Sequence, residues 1–129
     1  MKKSVAVVLF NKKGEVLAVS RKYDHNDFAL VGGKVDPEDN DDTVKAAIRE
    51  TKEETGLDIY NLKMIAMIPY QDRLAYCYIA DIVDESAIKY DEPHVVKWTN
   101  YQTVIDGSFG DYNKIIETIL DLLEINYIK

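Results

Sequence analysis

Three glutamates, Glu50, Glu53 and Glu54, are spaced so that an α-helix places them on one face. Like charges at these spacings repel each other by roughly a few tenths of a kcal/mol per pair, and Arg49, one turn before Glu53, offsets part of this repulsion. The rest requires either full exposure to water or a bound cation. Carboxylate oxygens are ligands that Mg²⁺ and Mn²⁺ prefer. The stripe is therefore a solvated helix face or a divalent-metal site, and the three glutamates alone favour the solvated face.

The helix that carries these glutamates is predicted over residues 43–55. Asp41 or Asp42 can cap its start, and Gly56 can end it in a left-handed conformation. Its core face is predicted to consist of Val44, Ala47, Ile48 and Thr51. An acidic loop, residues 36–42, leads into this helix.

Strand patterns lie on both sides of the helix. The apolar run 5–10 is typical of a strand buried on both faces, and Gly14 supplies the turn to a returning strand. We predict strands over 5–10, 16–20, 28–31, 62–70, 74–81 and 93–98, a loop over 22–27, a Gly32-Gly33 turn, and a second helix over 112–125 with Asp111 as its cap. Strands interleaved with two main helices indicate an α+β fold with a mixed sheet covered by helices, in one domain spanning residues 1–129.

Composition excludes several function classes. The chain has 23 acidic and 16 basic residues, a net charge of −7, which disfavours general nucleic-acid binding. No apolar run reaches the ~18 residues of a membrane span, and the run after Lys2-Lys3 ends too early for a signal peptide. Cys77 is the only cysteine, so no internal disulfide can form and a reducing, cytoplasmic location is expected.

The run from Gly33 to Leu57 resembles the Nudix hydrolase signature, Gly-x5-Glu-x7-Arg-Glu-U-x-Glu-Glu-x-Gly-U, where U is aliphatic. The matching residues are Gly33, Asp41, Arg49, Glu50, Glu53, Glu54, Gly56 and Leu57. Two extra residues separate the glycine from the acid, the acid is aspartate, and Thr51 replaces an aliphatic residue. Asp39 keeps the spacing from Gly33 and Asp41 keeps the spacing to Arg49. We prefer Asp41 because the helix fixes its position.

The resemblance implies an α/β/α sandwich with a central mixed β-sheet and a metal-dependent hydrolase of phosphoanhydrides. The implied catalytic residues are Glu50, Glu53 and Arg49, and the implied Mg²⁺ or Mn²⁺ ligands are Glu50, Glu53, Glu54, Asp41 and, from the loop at Asp91-Glu92, Glu92. The implied substrate-binding residues are Arg21, Gly33, Phe28 and Asn113. Each of these four has a plainer alternative: an exposed strand-end arginine, a turn glycine, a core phenylalanine and a helix-capping asparagine.

The resemblance also limits the substrate to a nucleoside diphosphate derivative. We prefer a nucleoside triphosphate, including oxidised or non-standard ones, cleaved to the monophosphate and pyrophosphate. ADP-ribose or another ADP-linked sugar is the alternative, and a nucleotide-binding sensor without turnover is a third. Relatives are often homodimers, but no residue pattern in this chain marks an interface.

Overall fold

The computed structural model describes residues 2–89 and 93–129 and contains one six-stranded mixed sheet. Its strands are β1 (Lys2–Val8), β2 (Val16–Arg21), β3 (Asp24–Lys34), β4 (Ile59–Tyr70), β5 (Arg73–Ile82) and β6 (Val96–Thr99), and its helices are α1 (Thr43–Thr55), α2 (Gln102–Ile105) and α3 (Gly110–Leu122). The strand order is β4-β5-β1-β3-β2-β6, with β1 and β5 parallel and the other described pairs antiparallel. Short 3₁₀ turns cover Pro37–Asp39 and Glu85–Ala87.

Two apolar cores lie on opposite faces of the sheet. Alternation along β1 sends Val5 and Val7 into the core that includes Ala46 and Ala47 of α1, and sends Ala6 and Val8 into the core that includes α3. Every β1 residue from Val5 to Val8 is buried, as the continuous apolar run predicts. The predicted mixed sheet with helices on both faces is confirmed.

Helix α1 has the predicted bounds but buries a different face from the one predicted. Asp42 caps it by accepting hydrogen bonds from two backbone N–H groups, and Gly56 ends it at φ +78°. Val44 and Ile48 are exposed, and the buried positions are Ala46, Ala47, Thr51 and Thr55. The threonines can be buried because each hydroxyl donates to the carbonyl four residues earlier, at 2.7 and 2.6 Å.

The Gly32-Gly33 pair is part of a strand and not the predicted turn. β3 begins at Asp24, so it takes up residues 24–27 of the predicted loop over 22–27 and leaves only a turn at 22 and 23. Gly32 and Gly33 pair with Ala6 and Val5 of β1. A Cβ on Gly32 would collide with the Val5 carbonyl oxygen. Gly32 is needed for close packing of two backbones rather than for a reversal of the chain.

Helix α3 begins at Gly110, two residues earlier than predicted, and ends at Leu122. Asp111 lies in its first turn and does not cap it, and the residue at the cap position, Phe109, makes no side-chain capping bond. Among the described residues, no helix is long and apolar enough to cross a membrane.

Candidate active site

The inner side of α1 presents Glu54 to the glycine pair of β3. Glu54 Oε1 accepts a hydrogen bond from the Gly32 N–H at 2.9 Å, which ties the helix to the sheet through a functional side chain. Burial raises the pKa of Glu54 to about 8, because a carboxylate loses hydration there and gains only one N–H donor. Glu54 forms no ion pair with the part of the chain that the structure describes, and a bound metal ion would stabilise its charged form.

Gly33 makes room for the second glutamate, Glu50. A Cβ at position 33 would lie 2.5 Å from the Glu50 carboxyl carbon, so any side chain there would displace the carboxylate. Glu50 accepts a hydrogen bond from Arg49 Nη1 at 3.1 Å, and burial raises its pKa despite this contact. Gly33 was expected to meet substrate, and in the structure it both lines the cleft described below and sets the position of Glu50.

Arg49 connects α1 to the acidic loop. Its Nε and Nη2 atoms donate to the two oxygens of Asp39, both at 2.9 Å, and Nη1 donates to Glu53 at 3.1 Å. This paired contact lowers the pKa of Asp39 and raises that of Arg49. Asp39 is only 3% exposed, so its charge depends on the guanidinium.

The structure brings Asp39, and not Asp41, to Arg49. Asp41 has an exposed side chain that accepts a hydrogen bond from Lys3 at 2.9 Å. The preference for Asp41 assumed that the helix fixes it, but Asp42 takes the cap position and Asp41 lies outside the helix at φ +62°. The two extra residues are absorbed by the 3₁₀ turn Pro37–Asp39 and by left-handed Asn40 and Asp41.

The donor set fits a divalent metal ion in its chemistry. Glu50, Glu53 and Glu54 supply the hard oxygen donors that Mg²⁺ and Mn²⁺ bind. Within residues 2–89 and 93–129, however, no three acidic, histidine or cysteine side chains converge as a ready metal cluster. Glu53 is held by Arg49 instead. The expected ligand Glu92, with its neighbour Asp91, lies outside the described residues.

A cleft of about 450 Å³ joins the glutamate helix to a group of aromatic and basic side chains. One part of its wall, the carboxylate side, is formed by Glu54, Gly32 and Gly33. Another part, the aromatic side, is formed by Arg21, Tyr70, Phe109, Tyr112 and Asn113. Four cationic side chains, Arg21, Lys22, Lys34 and Arg73, also line the cleft, and none of them forms an ion pair with the residues that the structure describes. An acidic protein thus keeps cations available at its cleft.

The aromatic side includes two of the expected substrate residues. The Arg21 guanidinium lies 5.2 Å from the centre of the Phe109 ring. Asn113 is buried in α3 rather than capping it, and its Nδ2 donates to the Val104 carbonyl at 3.0 Å. Among the described residues no hydrogen bond to Asn113 Oδ1 is formed, and Asn113 lines the cleft.

Phe28 does not belong to the cleft, which corrects its expected place at the substrate. It is 6% exposed, packs in the core under α3, and lies beneath the Lys97 ammonium at 4.2 Å. Sequence patterns did not point to Phe109, which lines the cleft. Its position one helical turn before Asn113 could have indicated that the two residues lie on the same side of the helix. The sequence patterns also missed Arg73 and assigned no role to His94, which line the cleft from a hairpin and a loop.

The comparison with protein families decides the identity of this fold. The model described as the NUDIX domain matches residues 1–118. The chain belongs to the Nudix family. It is therefore a Nudix-type pyrophosphohydrolase, and hydrolases of this family generally use divalent metal ions. No curated protein matches the chain.

Solved structures share the Nudix fold over nearly the whole chain. A MutT structure from work on Aliivibrio salmonicida and Vibrio cholerae matches with a TM-score of 0.74 at 15% identity, covering 94% of this chain and 98% of that one. An ADP-ribose pyrophosphatase from Streptococcus suis matches with a TM-score of 0.73 at 16% identity, covering 99% and 96%. The E. coli ORF135 protein matches at 0.70 and 16%, covering 98% and 95%. At these identities the likeness establishes the fold and not the substrate.

Proposed function

We propose that this Nudix hydrolase cleaves a nucleoside triphosphate, including oxidised or non-standard ones, to the monophosphate and pyrophosphate with Mg²⁺ or Mn²⁺. The observation that carries the proposal is that Glu54 and Asn113 line the same cleft of about 450 Å³. A cleft of this size accommodates a small ligand, and its two sides suit the two parts of a nucleotide.

The carboxylate side supports the hydrolytic step. Glu50, Glu53 and Glu54 would hold the divalent ion, which neutralises phosphate charge and lowers the pKa of a bound water. Arg49 keeps the glutamates in place, because its guanidinium is itself fixed by the Asp39 carboxylate at 2.9 Å. We propose Asp39, rather than Asp41, as the acid of the motif.

The remaining walls support binding of a nucleotide. Arg21, Lys22, Lys34 and Arg73 supply positive charge for a polyphosphate that the net charge of −7 would otherwise repel. Phe109 and Tyr112 supply aromatic surface for a base. The Oδ1 atom of Asn113 accepts a hydrogen bond, which suits a base edge that carries an N–H donor.

ADP-ribose or a related ADP-linked sugar is the second candidate. The fold matches the Streptococcus suis ADP-ribose pyrophosphatase about as well as it matches MutT, with TM-scores of 0.73 and 0.74. Such a substrate has the same anhydride and base, so the carboxylate side would act in the same way. A sensor without turnover is disfavoured because all three glutamates are present.

The experiment is to incubate the protein with Mg²⁺ or Mn²⁺ and a panel of nucleoside triphosphates, oxidised triphosphates, ADP-ribose and ADP-sugars. Mass spectrometry identifies the products. Monophosphate with pyrophosphate supports our proposal, whereas AMP with a sugar phosphate selects the second candidate. Chelation by EDTA and the variant Glu54→Gln serve as controls, and both should abolish product formation.

Two further expectations belong to this proposal. The buried, unpaired Cys77 is consistent with a cytoplasmic location, where thiols remain reduced.

A homodimer is the assembly that the family suggests, and light scattering on the same preparation measures it.

A further inference from the structure

The loop that leads into α3 is fastened to β3 by a single carboxylate, that of Asp27. Its oxygens accept hydrogen bonds from the Ser108 backbone N–H, at 2.8 Å, and from the Ser108 hydroxyl. The two residues are 81 positions apart in the sequence, so the contact is purely tertiary. Neither of them lines the cleft.

A second contact presses the same loop onto β3. Gly107 lies so close to the strand that a Cβ there would collide with the Phe28 carbonyl oxygen and approach Asp27 Oδ1 to 2.9 Å. Position 107 therefore needs glycine for the close approach of two backbones. The close backbone packing and the two hydrogen bonds hold the loop against the same part of β3.

The loop carries part of the aromatic side of the cleft. Its last residue, Phe109, faces Arg21, and the Phe109 carbonyl accepts the backbone N–H of Asn113 at 2.9 Å. Because α3 has no side-chain cap of its own, its first turn is held by what fixes this loop. Both hydrogen bonds of Asp27 go to Ser108, which precedes α3, so this anchor acts on the helix through the loop and not as a cap.

We propose that Asp27 is a positioning residue for substrate binding. By holding Gly107 and Ser108 on β3, it keeps Phe109 against Arg21 and keeps the Asn113 amide at the cleft. This inference rests on the proposed function, since it assumes that the aromatic side binds the nucleotide. Asp27 has no hydrogen bond to α1, so its loss weakens substrate binding and leaves the hydrolytic step intact.

The chain contains a matched control for this contact. Asp84 also accepts the backbone N–H and the hydroxyl of a serine, Ser86, at 3.0 and 2.6 Å. Both residues lie outside the cleft. Replacing Asp84 removes an equivalent pair of hydrogen bonds without touching the aromatic side.

The test compares Asp27→Ala, Asp27→Asn and Asp84→Ala with wild type, using the triphosphate that wild type cleaves fastest. Asp27→Ala should raise KM about tenfold, the scale expected for losing hydrogen bonds to a charged acceptor, with kcat within about twofold. Asp27→Asn keeps one acceptor oxygen and should give an intermediate KM. Asp84→Ala should keep the wild-type KM. Hydrogen exchange of the amides from 108 to 113 should accelerate in Asp27→Ala alone.

The inference is overturned if a folded Asp27→Ala variant keeps the wild-type KM, whether or not its kcat falls. It is also overturned if Asp84→Ala shows the same increase in KM as Asp27→Ala. Calorimetric titration with the α,β-methylene analogues of ATP and GTP separates this inference from the proposed function. A wild-type protein that binds an analogue but cleaves no triphosphate refutes the proposed function. In that case, the ratio of the Kd values of the analogue for Asp27→Ala and for wild type still tests the role of Asp27.

Discussion

The three glutamates of α1 are neighbours in sequence, whereas the aromatic side of the cleft is built from segments far apart. Glu50, Glu53 and Glu54 lie within two turns of α1, and one arginine of the same helix orders two of them. Arg21 ends β2, and Phe109 and Asn113 come from the start of α3. The first arrangement depends on helix periodicity, and the second depends on how α3 docks on the sheet.

The two sides should therefore respond differently to substitution. Replacing a glutamate of α1 removes a proposed metal ligand and should lower kcat. A change on the aromatic side moves or removes a binding contact and should raise KM. Substitutions in the two regions can test this division.

The variant Glu53→Gln should lower turnover strongly. Loss of a residue that only supports a metal ligand costs roughly 10–100-fold, and loss of Glu53, a proposed ligand, should cost more than that. Glu53 has an exposed side chain, so the melting temperature should change little. Steady-state kinetics and thermal unfolding measure the two quantities. Glu38→Gln is the control, because Glu38 is also exposed and lies 3.5 Å from Arg49 but outside α1. Near wild-type turnover in Glu53→Gln would refute the role of this glutamate.

The variant Asp39→Asn should lower kcat about tenfold and should lower stability at neutral pH. The pKa of Asp39 is lowered by Arg49, so its folded carboxylate stabilises the protein above the pKa of the unfolded state, near 4. That stabilisation is lost as pH falls through the lower, folded pKa. Unfolding measured between pH 3 and pH 7 should lose this dependence in the variant.

Asp41→Asn is the matched variant for the same acidic loop. Among residues 2–89 and 93–129, Asp41 forms its ion pair with Lys3 at the surface, so its loss should leave kcat within about twofold of wild type. A larger loss of kcat in Asp41→Asn than in Asp39→Asn would show that Asp41 is the acid of the motif, as its spacing to Arg49 predicts.

The variant Asn113→Ala should raise KM about tenfold and change kcat little, because it removes the acceptor that we propose contacts the base. It also removes the hydrogen bond to Val104, so some stability is lost. Tyr101→Phe is the control, since it removes the hydroxyl that donates to the Asn113 carbonyl at 2.8 Å and leaves the amide in place. If both variants raise KM equally, the effect is structural and the amide does not contact the base.

The smallest effect concerns Cys77, which contacts the Tyr112 hydroxyl behind the aromatic side. Burial raises the pKa of the Cys77 thiol to about 11, so it should resist iodoacetamide at pH 8 in the folded protein. Since the unfolded thiol ionises at lower pH, its contribution to stability is full below about pH 8.5 and is lost as pH rises towards 11. Between pH 8 and pH 10, the free energy of unfolding measured with urea should fall less in Cys77→Ala than in wild type. Rapid alkylation at pH 8 would contradict this description.

Sequence patterns predicted the helices and strands where one physical cause dominates. Asp42 and Gly56 define α1 through capping and a left-handed end, and the run 5–10 predicts a doubly buried strand because it is apolar without alternation. The patterns failed where contacts between distant segments decide. The glycine pair forms a strand because it lies against β1, and α3 begins early because its loop is anchored on β3.

The amino-acid sequence by itself determined the chemistry of the site, since helix periodicity puts Glu50, Glu53 and Glu54 on one face whatever surrounds it. It could not decide between Asp39 and Asp41, because spacing does not predict how two extra loop residues fold. Only the tertiary structure made that choice, by burying Asp39 against Arg49 and leaving Asp41 at the surface. It also decided that Phe109 and not Phe28 lines the cleft, because burial of an aromatic side chain depends on which segments pack around it.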